Sequence, residues 1–229
     1  MRVLEVRPHD RTAFTQGFEL AGGVLYEGTG LVGRSAILAT DPATGAVRQR
    51  EDLPAPLFGE GITIADRRIW QLTWRDGIAI ERDLATMAEL RRVRYTGEGW
   101  GLCFDGTRLV MSDGTDRLTF RDPVTFDTIG EVRVRRAGEP ASRLNELECA
   151  GGAVWANVWQ TDHILRIDPA AGTVTAIVDA AGLLAQHASP AGRSGADVLN
   201  GIAALPGGTE FLITGKLWPH TFHVQFLPS

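Results

Sequence analysis

An aspartate-led turn recurs four times along the chain, as Asp41-Pro-Ala-Thr-Gly, Asp83-Leu-Ala-Thr, Asp122-Pro-Val-Thr and Asp168-Pro-Ala-Ala-Gly, at intervals of 39 to 46 residues. Each copy stands between two runs of strand-forming residues. A period of about 40 residues is the spacing of propeller blades. Fixing that repeat also fixes which residues must meet at one end of the molecule.

The units open at Gly17, Gly61, Gly101, Glu146 and Gly201, each with a short strand such as Gly61-Ile-Thr-Ile or Gly101-Leu-Cys-Phe. Tight turns follow, among them Ala21-Gly-Gly, Ala65-Asp-Arg, Asp105-Gly-Thr and Pro206-Gly-Gly, which are hairpin chemistry. A second strand returns, as in Ile69-Trp-Gln-Leu and Val154-Trp-Ala-Asn, rich in β-branched and aromatic residues that suit a packed sheet. The third and fourth strands flank the aspartate turn. The chain therefore reads as all-β, a five-bladed β-propeller of four antiparallel strands per blade, with residues 1–229 forming one domain. The fifth unit lacks a fourth strand, and Arg2-Val-Leu-Glu-Val-Arg is expected to supply it, closing the ring and covering an open edge. Gly182 to Asp197 breaks the pattern and reads as a long inter-blade loop after a helical turn at Ala180 to Leu184.

Composition excludes several classes. A formal charge of −5 provides no basic field for nucleic acid. No stretch approaches the ~20 apolar residues of a membrane span. Met1 to Asp10 carries Arg2 and Glu5 and no signal-like apolar run, so the expected setting is the cytoplasm, or the periplasm or exterior after removal of a leader. A monomer is expected. Cys103 and Cys149 are too few for a disulfide framework and lie in strand-like runs; buried free thiols are the expectation. Of the 23 basic residues, only Lys216 is a lysine, a compact ammonium able to do what guanidinium cannot.

In an antiparallel pair, the residue before the first strand and the residue after the second lie at the same end. The first column of such positions is Gln16, Glu60, Trp100, Asn145 and Asn200; the second is Gly30, Trp74, Gly114, Trp159 and Lys216. One carboxylate, three amides, one ammonium and three indoles thus converge on one mouth. An apolar wall with a few placed polar groups is the make-up of a ligand pocket. Trp70 and Trp155 fall mid-strand and read as blade packing. Glu98 and Glu148 alternate away from the columns and are expected to be supporting residues at most.

The segments Ala13-Phe-Thr-Gln-Gly, Phe58-Gly-Glu-Gly-Ile, Gln71-Leu-Thr-Trp, Gly97-Glu-Gly-Trp-Gly-Leu, Leu144-Asn-Glu-Leu-Glu, Ala156-Asn-Val-Trp and Thr214-Gly-Lys-Leu-Trp-Pro resemble the glutaminyl-peptide cyclotransferases of the plant and bacterial type. The resemblance spans residues 8–226. It implies a five-bladed propeller that converts the N-terminal glutamine of peptides or proteins to pyroglutamate, releasing ammonia without cofactor or catalytic metal. Carried over residue by residue, the implied site is Phe14, Gln16, Phe58, Glu60, Trp74, Trp100, Asn145, Trp159 and Lys216; the columns add Asn200. The expected catalytic groups are Glu60 as proton shuttle, with Lys216 and Asn145 at the oxyanion, and Lys216 is expected to pair with Glu60 at rest. The aromatic residues, Gln16 and Asn200 are expected to hold substrate. The chain departs from the family at Gly28, where serine is common, and near His223, where an acid is; the export segment that the family often carries is not expected within Met1 to Asp10.

Two other readings compete. A calcium-dependent lactonase-like propeller also gathers Glu and Asn at its mouth, but an ammonium among them argues against a cation, and that architecture prefers six blades. A non-catalytic propeller binding peptides or proteins is the other. The chain has no Gly-x-Ser-x-Gly, no P-loop, and His220-x-x-His223 matches no metal spacing.

Overall fold

The structure, a computed structural model, describes residues 1–227. Strand β1 (Arg2–Pro8) precedes the first blade, β2 (Thr15–Ala21), β3 (Val24–Thr29), β4 (Ala36–Thr40) and β5 (Val47–Asp52). Blade two is β6 (Gly59–Ala65), β7 (Arg68–Thr73), β8 (Ile78–Asp83) and β9 (Glu89–Arg94). Blade three is β10 (Leu102–Phe104), β11 (Leu109–Ser112), β12 (Arg117–Arg121) and β13 (Thr128–Arg133), followed by the short strands β14 (Arg135–Arg136) and β15 (Glu139–Pro140). Blade four is β16 (Leu144–Ala150), β17 (Ala153–Val158), β18 (His163–Asp168) and β19 (Thr173–Asp179). After helix α1 (Leu183–His187), blade five has β20 (Leu199–Ala204), β21 (Glu210–Gly215) and β22 (His220–Gln225). The innermost strands neighbour one another in a closed cycle, β2 to β6 to β10 to β16 to β20 and back to β2.

The repeated aspartate is a turn cap. Asp41 Oδ1 accepts from the backbone N–H groups of Ala43 and Thr44, Asp83 from Ala85 and Thr86, Asp122 from Val124 and Thr125, and Asp168 from Ala170 and Ala171. Four residues after each aspartate the chain turns through positive φ, at Gly45, Met87, Phe126 and Gly172. Met87 and Phe126 accept that backbone because their side chains are buried against the preceding blade, Met87 beside Tyr26 and Ile37 and Phe126 beside Trp70. Every blade interface has its own apolar cluster of this kind. Trp70 meets Phe126 at 4.7 Å and Trp155 meets Phe211 at 5.0 Å, so both indoles are blade packing as their mid-strand positions imply.

Strand β1 pairs antiparallel with β22, from Arg2 opposite Gln225 to Pro8 opposite His220, and closes the ring as expected. Three features differ from expectation. Helix α1 begins at Leu183, three residues after the expected start at Ala180, whose carbonyl accepts the Leu183 N–H. Strand β14 pairs in parallel with β19, so blade four carries two extra strands at its outer edge; runs of two residues are too short to show a period. Most consequentially, Cys103 and Cys149 are joined in a disulfide, their Cα atoms 5.4 Å apart. The expected pair of buried free thiols does not form. The cysteines instead lie on β10 and β16, innermost strands of adjacent blades, and a separation of 46 residues is one blade period.

Closing a loop of that length stabilises by about 4 kcal/mol in the chain-entropy model. The double Cys103→Ser, Cys149→Ser variant is therefore expected to melt roughly 8 to 16 °C lower, taking 2–4 °C per kcal/mol for a domain of this size. The arrangement of the mouth at 25 °C should be retained, since neither cysteine lines it. An unchanged melting temperature would show that the bridge contributes nothing to the ring.

Candidate active site

The hairpin geometry builds the mouth directly. Residues just past the second strands donate their N–H to carbonyls just before the first: Gly30 to Phe14, Trp74 to Phe58, Trp159 to Arg143 and Lys216 to Val198. Blade three differs, since Gly114 bonds Leu144 of the next blade. The small residues of this column leave room for rings. A Cβ at Gly30 would lie 2.5 Å from Phe58, and one at Gly114 would lie 2.7 Å from the Trp100 indole.

The other column sits on bulges. Register shifts fall between Thr15 and Gly17, Gly59 and Ile62, Leu144 and Leu147, and Leu199 and Ile202. Those intervals contain Gln16, Glu60, Asn145 and Asn200. A bulge re-aims a side chain without ending the strand; here it turns the mouth-end residue toward the axis. The glycines beside them permit contact between blades. A Cβ on Gly61 would stand 2.6 Å from the Trp100 carbonyl oxygen, and one on Gly101 2.1 Å from that of Asn145.

Together these residues enclose a cavity of about 540 Å³. Phe14, Gln16, Phe58, Glu60, Trp74, Trp100, Asn145, Trp159 and Lys216 all line it, with Leu31, Arg75, Gln160, Asp197 and Val198. Nine of the ten expected residues are therefore brought together. The tenth, Asn200, lies one layer further in: it is fully buried and donates to the Thr15 carbonyl at 2.9 Å and to Gln16 Oε1 at 3.3 Å. Gln16 Nε2 in turn donates to Glu60 Oε1 at 3.0 Å. Both ends of the Gln16 carboxamide are thus engaged in holding Glu60.

The aromatic wall is one continuous arc. Phe14 meets Phe58 edge-on at 6.3 Å, Phe58 meets Trp74 at 5.5 Å, and Trp100 meets Trp159 edge-on at 5.5 Å. The gap between Trp74 and Trp100 is bridged by Glu98, whose Oε2 accepts from both indole N–H groups, at 2.7 and 2.9 Å. Its other oxygen accepts from Arg75 at 2.9 Å, and that guanidinium lies 3.8 Å from the Trp74 ring centroid. Burial works to raise the Glu98 carboxyl, but the indoles and Arg75 hold it below its usual range. Alternation along the chain hides this residue; an acid two places before a mouth tryptophan was the available signal. Glu148 lies elsewhere, with Glu19 and Glu146. Burial pushes Glu19 up to about 7 and the other two well above the carboxylate range. Glu146 lies close to the Ile202 and Phe18 amides, yet neither oxygen closes a hydrogen bond.

Glu60 and Lys216 are nearly inaccessible, at 4% and 5% exposure. Burial pushes the Glu60 carboxyl well above its ordinary range; the Lys216 charge opposes that shift and the Glu98 charge adds to it. Burial likewise lowers the Lys216 ammonium, against the attraction of Glu60 and Asp197. The expected contact ion pair between them does not form among the described residues. The Lys216 Nζ stands 4.7 Å from the Phe14 ring centroid instead, a cation–π placement, and the two groups influence each other without direct contact. An acid-base group and a cation thus line the same indole-walled cavity.

The family model described as "Glutamine cyclotransferase" matches residues 1–226. The glutaminyl-peptide cyclotransferase of Arabidopsis thaliana is 38% identical over 220 residues, covering 95% of this chain and 68% of that protein. The crystal structure of Myxococcus xanthus glutaminyl cyclase superposes with a TM-score of 0.88 at 37% identity, covering 98% of this chain and 95% of that one. Kuenenia stuttgartiensis hydrazine synthase, at TM-score 0.53 and 11% identity over 90% of this chain and 56% of its own, shares the fold alone. With a family model spanning nearly every residue and a propeller matched at this identity, the chain belongs to the glutamine cyclotransferase family.

Proposed function

We propose that this chain is a glutaminyl-peptide cyclotransferase acting at the N-terminal glutamine of peptides or proteins. The observation that carries the reading is that the buried Glu60 and the buried Lys216 line one indole-walled cavity, in a chain of this family. The reaction is intramolecular. The substrate's α-nitrogen bonds to its own side-chain carboxamide carbon, the bond from that carbon to nitrogen breaks, and one proton passes from the α-nitrogen to the departing ammonia.

Holding the glutamine side chain curled into a near-attack geometry is the main burden. Trp74, Trp100 and Trp159, with Phe14 and Phe58, press its methylenes and exclude water. A free α-amine has a pKa near 7.7, so a base needs to be only modestly strong. Burial raises the Glu60 carboxyl above the ordinary carboxylate range, which makes it a stronger base when ionised and suits it to take the proton from the attacking nitrogen and deliver it to the leaving one. Gln16, backed by Asn200, keeps the Glu60 carboxyl aimed. Lys216 and the Asn145 carboxamide face the oxygen that becomes negative in the tetrahedral intermediate.

The direct test is ammonia release, with the matching loss of mass, from a short Gln-initiated peptide beside an Asn-initiated control, with and without a chelator. Turnover of the Gln peptide alone, undiminished by chelation, is the expected result. Binding of several Gln peptides without ammonia release would reduce the mouth to a recognition site, and loss of activity in chelator would favour the calcium-dependent reading.

A further inference from the structure

The N-terminal strand does more than close the ring. His9, the residue after β1, is buried, its side chain 5% exposed. Its Nδ1 lies 2.7 Å from the Trp218 carbonyl oxygen and its Nε2 3.1 Å from Glu27 Oε1. A carbonyl only accepts, so Nδ1 carries a hydrogen. Glu27 Oε1 also accepts from the Thr15 hydroxyl at 2.6 Å. The Thr15 carbonyl accepts from Asn200, Asn200 donates to Gln16, and Gln16 donates to Glu60. On the other side of the ring, Trp218 belongs to the turn that follows Lys216; that turn is also fixed by Leu217 N–H donating to the Ala13 carbonyl and by the His9 N–H donating to Pro219.

We propose that His9, paired with Glu27, is a positioning residue that holds Glu60 and Lys216 in register across the seam between blades one and five. One imidazole grips the Lys216 turn with one nitrogen and the Gln16–Glu60 chain with the other. Neither ring atom lines the cavity, so His9 acts through these partners and not on substrate. Burial alone disfavours a charged imidazole, but the Glu27 charge and hydrogen bond and the Trp218 carbonyl together raise its pKa, consistent with both nitrogens donating. The rate consequence rests on the cyclisation reading above; the geometric consequence does not.

Lys216, as the single lysine, offers a probe independent of turnover, because its Nζ gives one side-chain resonance after isotopic lysine labelling. In His9→Ala, kcat is expected to fall about tenfold or more with KM changed much less, since misplacing reacting groups by about 1 Å costs on that order or beyond, and the Lys216 resonance should move. His9→Asn, which keeps a donor for the Trp218 carbonyl, should restore the resonance position more than His9→Gln, which keeps the donor for Glu27. Arg7→Ala is the control. It removes bonds from Arg7 to Glu5 and to the Pro42 carbonyl, loosening β1 without touching the chain of contacts, and should lower the melting temperature while leaving kcat and the resonance in place.

An unmoved Lys216 resonance in folded His9→Ala would overturn the proposal whether or not the enzyme turns over. An equal loss of kcat in Arg7→Ala would overturn it too, by assigning the effect to ring closure in general. If wild type releases no ammonia, the functional reading fails separately, and the resonance alone decides the role of His9.

Discussion

Glu60→Gln is expected to lower kcat on a Gln-initiated peptide by about 10³-fold, within the 10²–10⁴ range of a positioned acid-base group, while the fold persists. The variant removes a proton-transfer group and little else. Its amide oxygen can still accept from Gln16 Nε2, the bond that orients the native carboxyl at 3.0 Å, and the side-chain volume is nearly unchanged. Stability should not suffer, because burying a carboxylate is costly and burial is the foremost influence on Glu60. The pH profile supplies a second signature. In wild type, kcat/KM should rise with pH through the raised Glu60 pKa and the substrate amine, then fall at high pH as Lys216, lowered by burial, loses its proton. In Glu60→Gln only the amine should remain on the acid limb. A variant with near-normal rate and the full acid limb would remove Glu60 from the chemistry and leave positioning by the aromatic wall as the source of rate.

The repeat made the ring and the mouth legible because hairpin topology places strand ends together whatever the turn. Gln16, Glu60, Trp74, Trp100, Asn145, Trp159 and Lys216 line one cavity for that reason, and Phe14 and Phe58, which only the resemblance implied, line it with them. What the chain did not reveal is depth. All four bulged positions carry the same one-residue shift, so depth is decided by which hydrogen-bond partners each side chain meets, and that leaves no trace in an apolar period. Asn200 and Gln16 occupy matching column positions, yet one is a buried strut and the other a cavity wall. Alternation along the chain places Glu98 off the mouth, as a supporting residue at most, but does not show that its carboxylate curls back to two indole nitrogens. The bridge between Cys103 and Cys149 was readable in principle, since neighbouring innermost strands bring residues one period apart to the same depth. Strand-like runs around the two cysteines say only that both thiols are buried, not that they meet. The contact between His9 and Glu27 depends on which strand closes the ring and at what register, which composition and period do not state.

Lys216→Met is expected to lower kcat by about 10² or more, the loss typical of removing one oxyanion donor. Methionine keeps an unbranched chain to lie against Phe14, where the native ammonium stands 4.7 Å from the ring centroid, and it relieves a buried charge, so the folded state should be at least as stable. Two roles are tangled in this residue, because its charge also lowers the Glu60 pKa. Removing it must move Glu60 further up, and the acid limb of kcat/KM must move to higher pH in the same direction. The pH series separates the roles. If Lys216 stabilises the oxyanion, the rate stays depressed on the plateau above the shifted limb, where Glu60 is ionised in both proteins. If raising the pH restores the wild-type rate, the ammonium serves only to tune Glu60, and Asn145 is left as the donor at the developing charge. Lys216→Arg sharpens the comparison: it keeps the charge and thus the position of the limb, but replaces a compact donor with a planar fork. A wild-type limb with a depressed plateau in that variant would assign the loss to donor geometry.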